Sequence, residues 1–175
     1  MNESTTITAG YFLIISASDR FLLDNSTTNY TLTNAGTIIN NGEILLNDQG
    51  TIDNNGGTII NNVKISINDS GVIANNTGGI ITNNTGGIIH LQTGGEIVNN
   101  TGGTITNKAS GTIVIFTGSE LANFGGTIYN DYLSIISVSS NSILNNESTI
   151  VNNGTINNNG GTVYNTGTIA PNPVT

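Results

Sequence analysis

The sequence contains no cysteine and no tryptophan, and only 2 of its 175 residues are proline. The missing cysteines exclude disulfides and thiolate metal sites, and the scarcity of proline excludes a collagen-like chain. Cations are scarce as well, because Arg20, Lys64 and Lys108 stand against 11 acids and leave a net charge of −8. So few cations cannot neutralise a run of phosphates, and we expect no binding to nucleic acid.

Long apolar runs are also missing from the sequence. No stretch approaches the roughly 18 apolar residues of a membrane span, so we expect no membrane insertion. The N-terminal stretch lacks a basic leader, and its longest apolar run, Tyr11–Ile15, is shorter than the core of a signal peptide, about 7–15 residues. These features predict synthesis in the cytoplasm without a cleavable signal peptide. The protein would then reach a spore, virion or other extracellular surface after lysis.

The residues that are abundant indicate an all-β chain. Asn, Ile, Thr and Gly together supply 107 of the 175 residues. Ile and Thr favour strands, whereas Asn and Gly favour turns, so many short strands joined by tight corners are expected. A disordered chain would be poor in such β-branched apolar residues.

A short repeat gives the architecture. From Gly36 onward a unit of the form G-[TE]-I-x-N-N recurs every 6 to 8 residues. One unit in 3 lacks the Asn pair and has two alternating apolar positions instead, as in EILLND at 43–48 and IIHLQT at 88–93. Three sides per turn follow, with 21–24 residues per turn. The pattern predicts a single-stranded parallel β-helix of triangular section, with about six coils and three short strands per coil.

Alignment by that period places apolar residues in three columns, one for each side of the triangle. We expect the columns to stack in the core and the corner asparagines to form amide ladders. An antiparallel sandwich with Asn-Gly hairpins is the alternative fold, but it does not explain why every third unit differs. The predicted columns are Ile44, Ile65, Ile89, Ile113 and Ile135; Ile52, Ile73, Ile97, Leu121 and Ile143; and Ile38, Ile59, Ile81, Ile105, Ile128 and Ile150.

These G-T-I-x-N-N columns resemble the Asn/Gly/Thr-rich repeats of known parallel β-helix (β-solenoid) proteins. Such repeats occur in filamentous adhesin passengers and in fibre-forming subunits of bacteria and viruses. The resemblance covers residues 36–170, and it implies structural or adhesive roles as often as enzymatic ones. The calcium-binding pattern G-G-x-G-x-D is missing from the sequence, so the calcium-roll subclass is not expected.

The segments that flank the repeats are candidates for assembly. Residues 1–35 would cap the first coil, form an irregular first coil, or extend as an assembly arm, whereas residues 171–175 form a tail too short for a capping helix. An uncapped coil exposes a row of unpaired backbone groups, which can pair with another copy. The candidate assembly residues are Tyr11, Phe12, Leu13, Ile14, Ile15, Phe21, Leu22 and Leu23 near the start, and Val163, Tyr164 and Ile169 near the end.

Residue types that carry catalysis or bind metals are scattered over the predicted solenoid. His90 has no second ligand one coil away. Asp48 and Asp69 should stack, and so should Glu96 and Glu120, but the two pairs lie on different sides. Because such acids must converge to do acid–base work, the sequence predicts no catalytic residue, no cofactor and no metal site.

The sequence therefore predicts a non-enzymatic structural protein. Its partner would be another copy of itself, stacked head-to-tail through open solenoid ends into a fibre or surface matrix, with lateral bundling of the fibres. A monomeric adhesin-like or ice-binding solenoid remains the alternative, and a polysaccharide-active β-helix enzyme is less favoured.

Overall fold

The computed structural model describes residues 4–24 and 30–175, and these form three parallel β-sheets without a helix. The strands are numbered along the chain, and successive strands belong to sheets A, B and C in a repeating order. Sheet A holds β1 (Ser4–Ile7), β4 (Thr31–Asn34), β7 (Thr51–Asn54), β10 (Val72–Asn75), β13 (Glu96–Asn99), β16 (Glu120–Asn123), β19 (Ile143–Asn146) and β22 (Thr162–Asn165). Sheet B holds β2 (Phe12–Ile15), β5 (Thr37–Asn40), β8 (Thr58–Asn61), β11 (Ile80–Asn83), β14 (Thr104–Asn107), β17 (Thr127–Asn130), β20 (Thr149–Asn152) and β23 (Thr168–Pro171). Sheet C holds β3 (Arg20–Asp24), β6 (Glu43–Asn47), β9 (Lys64–Ile67), β12 (Ile88–Leu91), β15 (Thr112–Ile115), β18 (Ile135–Ser139) and β21 (Thr155–Asn159).

Each strand pairs with the strand three places further along the chain, so one turn of the chain adds one strand to each sheet. We call the three strands of one turn a tier. Sheets A and B each contain 8 strands, which gives eight tiers. At about 4.8 Å per tier, the first and last tiers lie roughly 34 Å apart. The predicted triangular β-solenoid is confirmed, and all pairings between the named strands are parallel rather than antiparallel. The number of tiers exceeds the predicted six coils, because the N-terminal segment adds β1, β2 and β3.

The described part of residues 1–35 continues the sheets. Strands β1, β2 and β3 pair in parallel with β4, β5 and β6 of the next tier. Residues 1–3 and 25–29 of the predicted N-terminal segment lie outside the described residues.

The core is a stack of Ile and Leu side chains, because alternate residues of each strand point inward. Of the 16 residues predicted as core columns, 14 are fully buried. Six of the seven strands of sheet C contribute two inward apolar residues, such as Ile44 and Leu46 in β6, whereas β21 has Asn158 at the second position. This extra inward position explains why one unit in three lacks the Asn pair.

Two residues predicted in the core lie on the outside instead. Ile113 pairs with Ile136, 23 residues later, whereas the prediction used a spacing of 22. The coil is therefore one residue longer there, and a one-residue slip moves a strand's side chains to the opposite face. Ile136 and Leu144 are buried, whereas Ile135 is exposed and Ile143 is half-buried.

Asparagine ladders run beside the apolar core along sheets A and B. Within each ladder the Nδ2 group donates to Oδ1 of the Asn in the next tier, at 2.7–2.9 Å. The donors therefore all point toward the C-terminal end. The predicted amide ladders are confirmed, with members Asn34, Asn54, Asn75, Asn99, Asn123, Asn146 and Asn165 in sheet A, and Asn40, Asn61, Asn83, Asn107, Asn130 and Asn152 in sheet B.

Both ladders begin at the second tier, because the equivalent positions of the first tier are apolar. Ile7 lies opposite Asn34, and Ile15 lies opposite Asn40. Oδ1 of Asn34 is consequently buried without a hydrogen-bond partner among the described residues.

Candidate functional site: the two ends of the solenoid

The N-terminal end of the solenoid is an apolar surface formed by the first tier. Among the described residues, strands β1, β2 and β3 are the edge strands of their sheets, so each is paired on one side only. Ile7, Leu13, Phe21 and Leu23 point inward from this tier and are only partly buried. They line an open cavity of about 560 Å³, so the core reaches the end of the rod without a complete cover from the described residues.

The rim of this end carries four large apolar side chains. Tyr11 is 70% exposed, Phe12 65%, Ile14 58% and Leu22 48%. Scattered single exposed apolar residues are normal, but a group of them around an open core indicates an interaction surface. The predicted N-terminal assembly residues therefore converge on one end of the rod, with the exception that Ile15 is buried beneath them.

The C-terminal end has smaller apolar groups. Val163 and Ile169 point inward from β22 and β23 and are partly buried, whereas Tyr164 points outward and is 59% exposed. The structure thus divides the predicted assembly residues between two surfaces at opposite ends of the rod.

The C-terminal tail completes the last tier on sheet C. Val174 forms a parallel bridge with Ile156 of β21 and joins the apolar core. The backbone N–H of Thr175 donates to the Ile156 carbonyl at 2.9 Å, and the Asn158 N–H donates to the Thr175 carbonyl at 2.6 Å. Both ends of the rod therefore present strand edges from all three sheets.

The backbone groups that face outward at the N-terminal end can be assigned from the pairing. The Thr37 N–H donates to the Tyr11 carbonyl at 3.0 Å, and the Asn41 N–H donates to the Ile15 carbonyl at 2.8 Å, so both carbonyls face the second tier. Successive residues of a parallel strand pair with opposite neighbours. The N–H and C=O groups of Phe12 and Ile14 consequently face the open end.

Pro171 weakens one strand edge at the opposite end. The fourth residue of each sheet B strand faces the following tier, as the bond from Asn172 N–H to the Asn152 carbonyl shows. Pro171 occupies this position in β23 and has no N–H. Proline on an edge strand removes a donor and reduces indiscriminate pairing, so the β23 edge is the least receptive part of this end.

Charged residues near the N-terminal end form a column on sheet C. Glu43 lies between two cations, with Arg20 Nε at 2.7 Å and Lys64 Nζ at 3.2 Å. Burial by itself would raise the pKa of Glu43, but hydrogen bonds from Lys64 and Arg20 and their charges outweigh burial and lower the pKa. Glu43 and Lys64 lie directly opposite each other on neighbouring strands, as a half-buried ion pair of small energetic value.

Asp48 and His90 also have shifted pKa values. Desolvation and then the charges of Asp24 and Asp69 raise the pKa of Asp48 at the corner that follows sheet C. Burial and then the charge of Lys64 lower the pKa of His90. The His90 ring packs edge-on against the Phe116 ring, with 5.2 Å between the ring centroids. Within residues 4–24 and 30–175, no group of three His, Cys, Asp or Glu side chains could hold a metal ion.

Glu96 and Glu120 are directly opposite each other on sheet A, as predicted. Desolvation and then the Glu120 charge raise the pKa of Glu96. A carboxyl with a raised pKa in the folded state penalises folding once it ionises, so its destabilising effect appears as the pH rises through that pKa and vanishes below the unfolded value of about 4.3.

We therefore expect Glu96→Gln to raise the free energy of unfolding at pH 7 by up to about 1 kcal/mol, since solvent screens this pair. Urea unfolding at pH 7 and pH 3 measures the effect. The gain should disappear at pH 3, and Glu147→Gln, at an exposed corner, is the matched control. A gain that is the same at both pH values would contradict this electrostatic origin.

Sequence reasoning missed several residues that shape the two ends. Ile7 lies in TTITAG, where the missing Asn pair hid a strand of sheet A. Val174 lies 18 residues after Ile156, a shorter spacing than any the repeat suggested. The run of β-branched residues Thr5, Thr6, Ile7 and Thr8 is the signal that could have revealed β1.

Comparisons with known proteins do not assign a family. No protein-family model matches the sequence, and no curated protein matches it. Among solved structures, the crystal structure of a TibA fragment hyper-glycosylated by TibC is similar at 19% identity, over 91% of this chain and 69% of that chain, with a TM-score of 0.25. In the described part of the chain, no helix is long and apolar enough to cross a membrane.

Proposed function

We propose that this protein is a non-enzymatic structural subunit that assembles head-to-tail, with the first tier of one copy stacked on the last tier of another. The observation that carries the proposal is the pair of open ends. Each end presents strand edges of all three sheets around an apolar interior. Stacking would pair these edges and bury that interior, as every internal tier already does.

The form of the interface favours a second copy of this chain as the partner. A strand edge recognises another strand through backbone pairing, and a triangular ring of edges requires a partner with the same three-sided section. The two surfaces differ from each other, so the contact is heterologous and does not close, which generates a filament. Glu96 and Glu120 face each other on sheet A, apart from Asp48 at the corner that follows sheet C, and this separation of the acids supports a role without catalytic turnover.

Assembly of the purified protein tests the proposal directly. We expect filaments in negative-stain electron micrographs and a sedimentation coefficient that rises with concentration. A species of 18.1 kDa at every concentration would contradict the proposal and would favour the alternative of a monomeric binding module.

Ile14→Pro tests whether the N-terminal edge takes part. The Ile14 N–H faces the open end and its side chain is exposed, so proline should remove a donor from the interface without breaking a bond inside the chain. We expect the critical concentration for assembly to rise by at least about tenfold, since each lost backbone bond and the proline ring both oppose pairing.

Ile14→Val is the matched control, because valine keeps the N–H and the β-branched shape. Both variants should unfold at nearly the wild-type temperature. Filaments of Ile14→Pro that form as readily as those of Ile14→Val would show that this edge lies outside the contact.

A further inference from the structure

We infer that the copies join in one rotational register only, with β22 of one copy under β1 of the next, β23 under β2, and the C-terminal tail under β3. This inference rests on the proposed function. A triangular end could otherwise be stacked in three orientations that differ by rotations of about 120°, and parallel strand direction is kept in all three.

The step at each end of the solenoid selects the register. A chain that winds as a solenoid rises by one strand spacing, about 4.8 Å, in every turn. Each end is therefore a spiral step and not a flat triangle. At the N-terminal end, the step lies between β3 and β1. At the C-terminal end, it lies between the tail on sheet C and β22 on sheet A.

Both steps consequently lie at the corner between sheet C and sheet A. Only the register with sheet A on sheet A brings the two steps together. Either rotated register would leave one or two sides separated by an extra strand spacing, and the edges on those sides could not reach hydrogen-bond distance.

The sheet A ladder gives a second reason for this register. Each member of the sheet A ladder from Asn34 to Asn146 also donates a second hydrogen bond from Nδ2. The acceptor is the carbonyl of the first residue of the sheet B strand in the next tier, as in the bond from Asn146 to Thr168 at 3.1 Å. Phe12 is the equivalent residue of the first tier, and its carbonyl faces the open end. In this register Asn165, the last member of the ladder, reaches that carbonyl across the join.

The apolar columns also continue in this register. Ile169 lies under Leu13, and Val174 lies under Phe21. All four side chains are only partly buried in the single copy. The join would thus complete the burial of residues that the isolated copy leaves at its ends.

Disulfide trapping tests the register, and the cysteine-free sequence makes every trapped pair unambiguous. Neighbouring strands place opposite Cα atoms about 4.8 Å apart, within the range for a disulfide. Thr6, Tyr164 and Ala170 are third-position residues whose side chains point outward from β1, β22 and β23. Single-cysteine variants of each would be mixed in pairs, assembled, oxidised and separated on a non-reducing gel.

We expect Thr6→Cys mixed with Tyr164→Cys to give a cross-linked dimer, and Thr6→Cys mixed with Ala170→Cys to give none. The reverse result would overturn the register while leaving head-to-tail assembly intact. Thr6→Cys alone is the control, because a dimer formed by it alone indicates head-to-head contact and overturns the inference. If the wild-type protein forms no filaments, the proposed function itself fails, so the two failures are distinguishable.

A gain-of-function variant provides an independent measurement. In the inferred register Asn165 lies opposite Ile7, where the side-chain ladder is interrupted. Ile7→Asn would accept from Asn165 Nδ2 across the join and would donate to Asn34 Oδ1, which has no partner in the described chain. We expect the critical concentration to fall by about two- to tenfold, the value of one hydrogen bond.

The gain should vanish when Ile7→Asn is combined with Asn165→Ala, which removes the donor but not the fold. An equal gain in both backgrounds would overturn the inferred contact between positions 7 and 165. If Ile7→Asn fails to fold, the cysteine pairs still decide the register.

Discussion

Asn107→Asp should lower the free energy of unfolding by roughly 3–6 kcal/mol, because each buried polar group left without a partner costs about 1–3 kcal/mol. Asn107 is fully buried in the middle of the sheet B ladder. Its Nδ2 group donates to the Gly111 carbonyl at 3.1 Å, to Oδ1 of Asn130 at 2.9 Å and to the Ile135 carbonyl at 3.0 Å. Asp has nearly the same shape but presents an oxygen to these acceptors.

Equilibrium unfolding in guanidinium chloride measures this loss, and Asn84→Asp is the matched control. Asn84 belongs to a second, half-buried ladder outside the core, where its Nδ2 donates to Asn62 Oδ1. We expect the control to lose less than about 1 kcal/mol, since water can replace its partner.

The loss in Asn107→Asp should also depend on pH. A buried carboxyl favours its protonated form, so its pKa in the folded state lies above the unfolded value of about 3.9. Stability is then greatest below that value and falls as the pH rises through the folded-state pKa. A destabilisation below about 1 kcal/mol at pH 7 would show that the inner ladder does not contribute in the way its geometry indicates.

Gly95→Ala should also be strongly destabilising. We expect the free energy of unfolding to fall by about 3 kcal/mol or more, at the upper end of the cost of overpacking. The constraint is spatial, because a Cβ atom at this position would overlap the carbonyl oxygen of Ile67 in the tier below. That oxygen belongs to the backbone and accepts from the Gln92 N–H at 2.8 Å. The tiers could accommodate the methyl group only by separating, which breaks hydrogen bonds on sheet C.

Gly86→Ala separates this effect from the conformational freedom of glycine. Gly86 has a φ of +77°, and a Cβ there would meet nothing within 4 Å. We expect a loss of about 1–2 kcal/mol from the left-handed backbone alone. Thermal unfolding of both variants checks the order, and a smaller loss at position 95 than at position 86 would contradict the close approach of the tiers.

The candidate site was partly accessible from the sequence. The apolar clusters Tyr11–Ile15 and Phe21–Leu23 interrupt the repeat, so they could be recognised as unusual. Their placement on a complete first tier could not, because no Asn pair marks β1. The tail was similarly hidden, since Val174 joins sheet C through a spacing shorter than the repeat predicts.

The fold class, the three-sided turn and the identity of most core residues could be predicted from the sequence. These follow from the alternation of residues within strands and from a period of 21–24 residues, both of which are local properties of the chain. The sequence could not decide the facing of Ile135 and Ile143, because one added residue reverses the side chains of β18 and β19, whereas Ile150 of β20 is buried as predicted.

The three-dimensional fold was needed to find the direction of the Asn ladders, the isolated Oδ1 of Asn34 and the position of the step at each end. These properties depend on which tier lies above and below each residue, and a repeat that is nearly the same in every turn does not mark its own first and last turns.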